Sequence, residues 1–170
     1  MKLVRWLDDN LEETLLIILL VLMSVVMGIQ VVSRYLLNAS LSWSEELTRY
    51  LFIWSAFLSI SYCIKKWISI KIDQIMNLCP KTIYVVLQLV LNIVLFLFFA
   101  YLSIHAYHYL LDSIASAQRS PALGIPMYLV QSAPFTGFVL AMIRSFQQIL
   151  LEMMNVKALW HHKEVKIKKG

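Results

Sequence analysis

The sequence predicts an all-α integral membrane protein. Four long, tilted transmembrane helices are expected, with a short interfacial segment between the second and third and both termini on the cytoplasmic side. Three observations predict it. First, of 170 residues 60% are hydrophobic and only 15% charged, with a mean hydropathy of +0.72; that is more apolar side chain than so small an interior can hide from water. Second, the apolar residues fall into four runs, each long enough or extendable enough to cross a hydrocarbon core, which takes ~20 helical residues. Third, the basic residues are segregated by side of the membrane rather than spread along a face.

Span one, about 14–36, contains 20 consecutive uncharged residues from Thr14 to Ser33. It does not read as a cleavable leader, because Asp8, Asp9, Glu12 and Glu13 precede it and no small-residue cleavage site follows. Span two, about 43–64, has a 15-residue uncharged run, Tyr50 to Ile64, lengthened upstream to Trp43. From Ser69 to Pro80, Ile70, Ile72, Ile75, Met76 and Leu78 interleave with Lys71, Asp73 and Asn77, a pattern for a short segment at the cytoplasmic interface. Span three, about 82–111, runs 30 residues without a charge from Thr82 to Leu111, so it must tilt or protrude. Span four, about 127–152, follows Pro121, Gly124 and Pro126 and carries Pro134 inside it. The whole chain, 1–170, is expected to be one membrane domain ending in a basic cytoplasmic tail, 155–170.

Twelve of the 15 Lys and Arg lie in the N-terminal segment, the second connection and the C-terminal region, and three (Arg34, Arg49, Arg119) on the other side. The positive-inside rule therefore places both termini in the cytoplasm. The net charge of +5 reads as topology signals and contacts with phospholipid head groups rather than a nucleic-acid surface.

The most informative stretch is Ser40 to Tyr50. Ser42 and Glu45 have capping-box spacing, with Ser44 as an alternative cap, and Glu45 and Glu46 suit the positive end of a helix dipole. Arg49 lies three and four residues from the two carboxylates, close enough to be neutralised within its own helix. Trp43 suits an interfacial anchor. Arg34, at the outer end of span one, is expected to reach Glu45 or Glu46 and clamp the first hairpin. A well-capped helix end and a subunit-docking role both fit these residues. Pro134 should free the carbonyl of Val130 and kink span four, as a packing feature or as a hinge, and Gly137 leaves room for a neighbouring backbone. Further candidate contacts are Ser55 and Ser59, the Gln88 and Asn92 pair, and Gly28.

Catalytic chemistry finds no footing. The four glycines are scattered, so no phosphate-cradling loop can form, and hydrolase and metallopeptidase motifs are missing. His105 and His108 sit near Asp112, but a bis-histidine haem needs facing ligands from different helices and no other span contains a histidine. No cofactor or metal is expected. Cys63 and Cys79 belong to no Cys-x-x-Cys motif and fall near the cytoplasmic face. The uncharged spans offer few polar groups at depth, which suits a subunit whose surfaces serve another protein better than an autonomous transporter.

These residues resemble the small membrane subunit of tripartite ATP-independent periplasmic (TRAP) transporters. The resemblance rests on Ser33-Arg34-Tyr35, on Ser42-Trp43-Ser44-Glu45-Glu46-Leu47 with Arg49-Tyr50, on Ile70-Lys71-Ile72-Asp73, and on Leu123-Gly124-Ile125-Pro126. It covers about residues 12–150. Ser69 departs from it, standing where many members have a histidine. The resemblance implies a non-enzymatic scaffold in a bacterial inner membrane, paired as a heterodimer with a large elevator-type subunit. That subunit takes up an organic acid with Na⁺ from a periplasmic binding protein; N-acetylneuraminate is the first expectation and a C4-dicarboxylate the second. Arg34, Tyr35, Trp43, Ser44, Glu45, Glu46, Arg49, Tyr50, Leu123, Gly124, Pro126 and Pro134 are the expected partner or structural contacts. The alternative is a haem-binding or structural anchor of a redox complex.

Overall fold

Four helices account for nearly all of the computed structural model: α1 (Lys2–Leu36), α2 (Ser42–Ile75), α3 (Lys81–Ser116) and α4 (Tyr128–Ile167). The structure describes the backbone of residues 2–38, 41–75 and 81–167, and side chains within 10–38, 41–66 and 86–154. All four helices contain stretches long and apolar enough to cross a membrane: Asn10–Leu36, Ser42–Lys66, Val86–Ser116 and Tyr128–Met154. At 1.5 Å per residue even the shortest, 25 residues, exceeds the ~30 Å hydrocarbon thickness, so the helices must tilt or protrude.

The helices outrun the sequence boundaries at the ends that carry charge. Backbone hydrogen bonding does not stop where the apolar pattern does, so α2 continues unbroken to Ile75. The backbone of 69–75 is thus the end of α2 rather than a separate interfacial element. Residues 76–80, including Cys79, lie outside the described residues. The side chains expected to lie on the membrane surface also lie outside them, as do those of the basic tail, whose backbone continues α4 to Ile167.

In space the order is α1, α2, α4, α3: α1 packs on α2, α2 on α4, and α4 on α3. One end of the bundle carries the α1–α2 and α3–α4 turns, and is called the two-turn end below. The opposite end carries both termini and the α2–α3 connection. The α1–α2 turn is made at Asn38, in the left-handed region at φ 48°, a conformation in which Asn is several-fold enriched.

Each helix contact has a sequence cause. On α1 the more buried positions include Glu12, Leu16, Leu19, Met23, Val26, Gln30 and Ser33. They recur at alternating intervals of four and three, the seam of a coiled coil. Most of the apolar side chains elsewhere on α1, among them Ile18, Val21, Val25 and Val32, are exposed. On α4, Ala133, Gly137, Ala141 and Ser145 are all buried and four residues apart. This small-residue stripe lets a neighbouring backbone come close. A Cβ on Gly137 would lie 2.7 Å from the Phe57 carbonyl oxygen of α2, so the expectation for Gly137 holds. The core is Ile64, Phe99 and Ala141, packed by Ile60, Leu95, Leu102, Phe138 and Met142. Phe138 is wedged between Phe57 and Phe99, with ring centroids at 5.5 and 6.3 Å.

Candidate functional site

At the two-turn end, the connection between α3 and α4 is tied into a small hairpin. Arg119 and Pro126 form an isolated β-bridge. Ser120 N donates to Ile125 O at 2.9 Å, Gly124 N to Ser120 O at 3.0 Å, and Met127 N to Gln118 O at 2.9 Å. Gly124 turns the chain at φ 67°, where a side chain would be strained. Two backbone N–H groups, of Ala122 and Leu123, have no partner within this hairpin, and Glu46 of α2 takes both: Ala122 N donates to its Oε2 at 2.8 Å and Leu123 N at 3.1 Å. The Tyr50 hydroxyl, one turn further along α2, donates to Oε1 of the same carboxylate. Glu46 is 6% exposed and Tyr50 8%. Charge-assisted bonds of this kind in a low-dielectric setting are among the stronger ones. Glu46 thus acts as a tertiary cap, fastening a loop 76 residues away to the start of α2.

The sequence-predicted contacts divide here. Glu46, Tyr50, Leu123, Gly124 and Pro126 come together around this knot. Ser44 is fully buried beside it, and its hydroxyl donates to Leu41 O at 2.7 Å, turned back on the preceding turn of chain. Trp43 is half-buried at the start of α2. Pro134 lies inside α4, which continues through it as a helix.

The Arg34 clamp does not form. Arg34 and Tyr35 are exposed, and among the described residues Arg34 makes no ion pair with Glu45 or Glu46. Glu45 is taken instead by Gln30, whose Nε2 donates to Oε1 at 2.9 Å. The antiparallel register explains this: Gln30 lies level with Glu45, whereas Arg34, one turn later on α1, reaches beyond the start of α2. Arg49 likewise forms no ion pair with either carboxylate among the described residues; Glu46 is already committed to the loop. Ser55 and Ser59 donate within their own helix, to Phe52 O and Ala56 O, Gly28 faces open space, and Gln88 and Asn92 are buried.

Toward the termini end lies a second cluster that sequence reasoning missed. Glu12 of α1, 3% exposed, accepts from Arg144 Nε of α4 at 2.7 Å. Arg144 also donates to Gln147 at 2.7 Å. Next to it, Glu13 accepts from the Tyr62 hydroxyl at 3.3 Å, with Lys66 at 3.9 Å. The signal was available. Arg144 falls inside an otherwise apolar run, and a charge within a membrane span calls for a partner.

His105 and His108 are exposed on α3, their rings set edge-on against Tyr101 and Tyr107 at 4.4 and 6.1 Å. No group of three or more His, Cys, Asp or Glu suited to a metal occurs among the described residues.

Comparison with known proteins gives these features a family. Residues 23–154 match the family described as tripartite ATP-independent periplasmic transporters, DctQ component. The ectoine TRAP transporter small permease protein TeaB of Halomonas elongata is 28% identical over 80% of this chain and 70% of its own length. The sialic acid TRAP transporter small permease protein SiaQ of Vibrio cholerae is 30% identical over 55% of this chain and 54% of its own. The isethionate TRAP transporter permease protein DctMQ of Oleidesulfovibrio alaskensis is 25% identical over 85% of this chain, which spans only 24% of that relative's length. With four helices long and apolar enough to cross a membrane and a family match over most of its length, this chain belongs to the DctQ-component family, the small permease subunits of TRAP transporters.

Proposed function

We propose that the chain is the stationary frame of a TRAP permease in a bacterial inner membrane. It holds a large, substrate-moving membrane subunit in place while a periplasmic binding protein delivers the solute. Both termini face the cytoplasm, as the distribution of Lys and Arg supports, and the two-turn end faces the periplasm. The knotted hairpin and the exposed Arg34 and Tyr35 then lie where the binding protein and the outer face of the large subunit meet this chain. The isethionate permease extends far beyond the segment matched here, which supports a small part working beside a larger one.

One observation carries this reading: the middle and last helices pack directly on one another along their described lengths. The α2–α4 contact is closed by Gly137 against Phe57, the α3–α4 contact by Phe99 and Phe138, and the ionisable groups Glu12 and Arg144 pair with each other. Helices packed in this way suit an elevator-type partner that needs something fixed to move against.

The solute is proposed as an organic acid taken up with Na⁺, N-acetylneuraminate first and a C4-dicarboxylate second. Relatives named for isethionate, ectoine, C4-dicarboxylate and sialic acid support a subunit common to many solutes, with selection made elsewhere. Reconstitution tests this. Vesicles with this chain alone should take up no labelled N-acetylneuraminate. Vesicles with the large subunit and binding protein added should take it up when a Na⁺ gradient is imposed. Uptake by this chain alone overturns the frame, and competition by a C4-dicarboxylate but not by sialate reverses the order of substrates.

A further inference from the structure

The row α1, α2, α4, α3 has two outer edges, α1 and α3, and they carry different chemistry. On α1 the side chains away from the seam with α2 include the exposed Ile18, Val21, Val25 and Val32, and no charged or imidazole side chain occurs between Thr14 and Ser33. On α3 the buried face runs through Asn92, Phe99, Ser103, Ala106 and Ser113. At about 100° per residue, Tyr101, His105, His108 and Asp112 fall on the opposite face, and all four are exposed.

The two histidines lie deep. The Tyr107 ring meets Phe135 of α4 at 5.7 Å, and Phe138, less than a turn further along α4, meets Phe57 of α2 at 5.5 Å. Phe57 stands in the middle of the uncharged run Tyr50 to Ile64. By that register His105 and His108 lie within about one helical turn of mid-depth, roughly 15–20 Å along the helix axis from the level of Trp43. An imidazole is too short to reach the head groups from there. Among the described residues neither imidazole makes a hydrogen bond and Asp112 makes no ion pair. Contacts with tyrosine rings leave the ring nitrogens unmet. Each neutral imidazole has one N–H donor and one acceptor nitrogen; facing hydrocarbon they are costly, and within a span such groups are turned toward protein. A second copy fits this face poorly. Two copies inserted in the same direction and related by a two-fold axis meet at equal levels, which sets Asp112 against Asp112.

We infer that the α3 edge, through His105, His108 and Asp112, docks the large membrane subunit of the permease, while the α1 edge faces lipid. The partner surface presents hydroxyl, amide or carboxylate side chains at mid-depth opposite the imidazoles, and a lysine or arginine nearer the head groups opposite Asp112. This assignment rests on the frame reading above and names the edge by which the frame is held.

The test is photo-crosslinking in membranes that contain the full-length chain and a tagged large subunit, co-expressed. Benzoylphenylalanine placed at Leu97 or Tyr101 on α3 should link the large subunit, and the same probe at Val21 or Val25 on α1 should give no link above the unirradiated control. Links from α1 instead of α3, equal links from both edges, or links from α3 only to a second copy of this chain each overturn the assignment. No link from α3, while the tagged large subunit still co-purifies with the unaltered chain, overturns the α3 edge and leaves the frame standing. A large subunit that does not co-purify at all overturns the frame and this edge with it. His105→Phe with His108→Phe keeps aromatic rings beside Tyr101 and Tyr107 but removes the hydrogen-bonding nitrogens. It should lower affinity for the detergent-purified large subunit about threefold for each interhelical hydrogen bond lost, and an unchanged affinity overturns the role given to the imidazoles.

Discussion

The two ends of the bundle solve the same problem with different chemistry. At the two-turn end a glutamate on α2 collects backbone N–H groups from a loop. Toward the termini end a glutamate on α1 pairs with an arginine on α4, side chain to side chain. The difference follows from where the chain turns. A tight hairpin leaves N–H groups that its own carbonyls cannot reach, and a carboxylate entering from a neighbouring helix satisfies them. α1 packs on α2 rather than on α4, so long side chains bridge α1 and α4, and in a membrane that bridge must be charge-balanced. One end is fastened by completing a backbone, the other by neutralising a charge.

Breaking the ion pair should have the largest effect. Glu12→Ala removes one charged partner of Arg144 and should destabilise the detergent-solubilised chain by about 1.5–3 kcal/mol, while the double change Glu12→Leu with Arg144→Met should recover most of the loss. Thermal melting of the three proteins checks this, and a Glu12→Ala protein that melts with the unaltered chain removes the latch. Glu46→Ala comes next, with a smaller fall in melting temperature, since the Ala122 and Leu123 N–H groups lose a charged acceptor. Its signature is local: hydrogen exchange should quicken at the Ala122 and Leu123 amides and stay unchanged in α1. Exchange that quickens equally everywhere would mean that the knot is not a separate unit.

Gly137→Ala sharpens the contrast from the middle of the molecule, where neither a cap nor a charge operates. Its added methyl meets the Phe57 carbonyl at 2.7 Å, and a backbone atom cannot turn aside as a side chain can. The expected loss is about 1–3 kcal/mol despite the better helix propensity of alanine, and a gain in melting temperature would show that α2 and α4 have room to separate. Arg34→Ala should change the stability of the isolated chain least, by less than about 0.5 kcal/mol. A larger shift on melting would restore the clamp that the structure does not show.

The legible parts of the molecule are those with a local cause. Spans one and two were readable because an uncharged run dictates a helix in lipid, and the start of α2 because Ser42, Glu45 and Glu46 satisfy a helix terminus from nearby. Leu123, Gly124 and Pro126 read as a turn because Gly124 needs a left-handed backbone. Arg34 was misassigned for want of register: composition places it near the acidic pair, but only the seam from Glu12 to Ser33 sets which residue of α1 lies level with Glu45. That seam and the stripe from Ala133 to Ser145 were present in the spacing of the residues. They were masked because nearly every other position in these spans is apolar as well.

The sequence by itself determined that this chain lives in a bilayer and how many times it can cross, because both depend on the solvation of neighbouring residues. Only the tertiary structure decided that Glu46 holds Ala122 and Leu123, that Gln30 rather than Arg34 meets Glu45, and that Glu12 pairs with Arg144. Those pairings join residues as far as 132 positions apart. They are set by the rotation and register of packed helices, which no short stretch of sequence encodes.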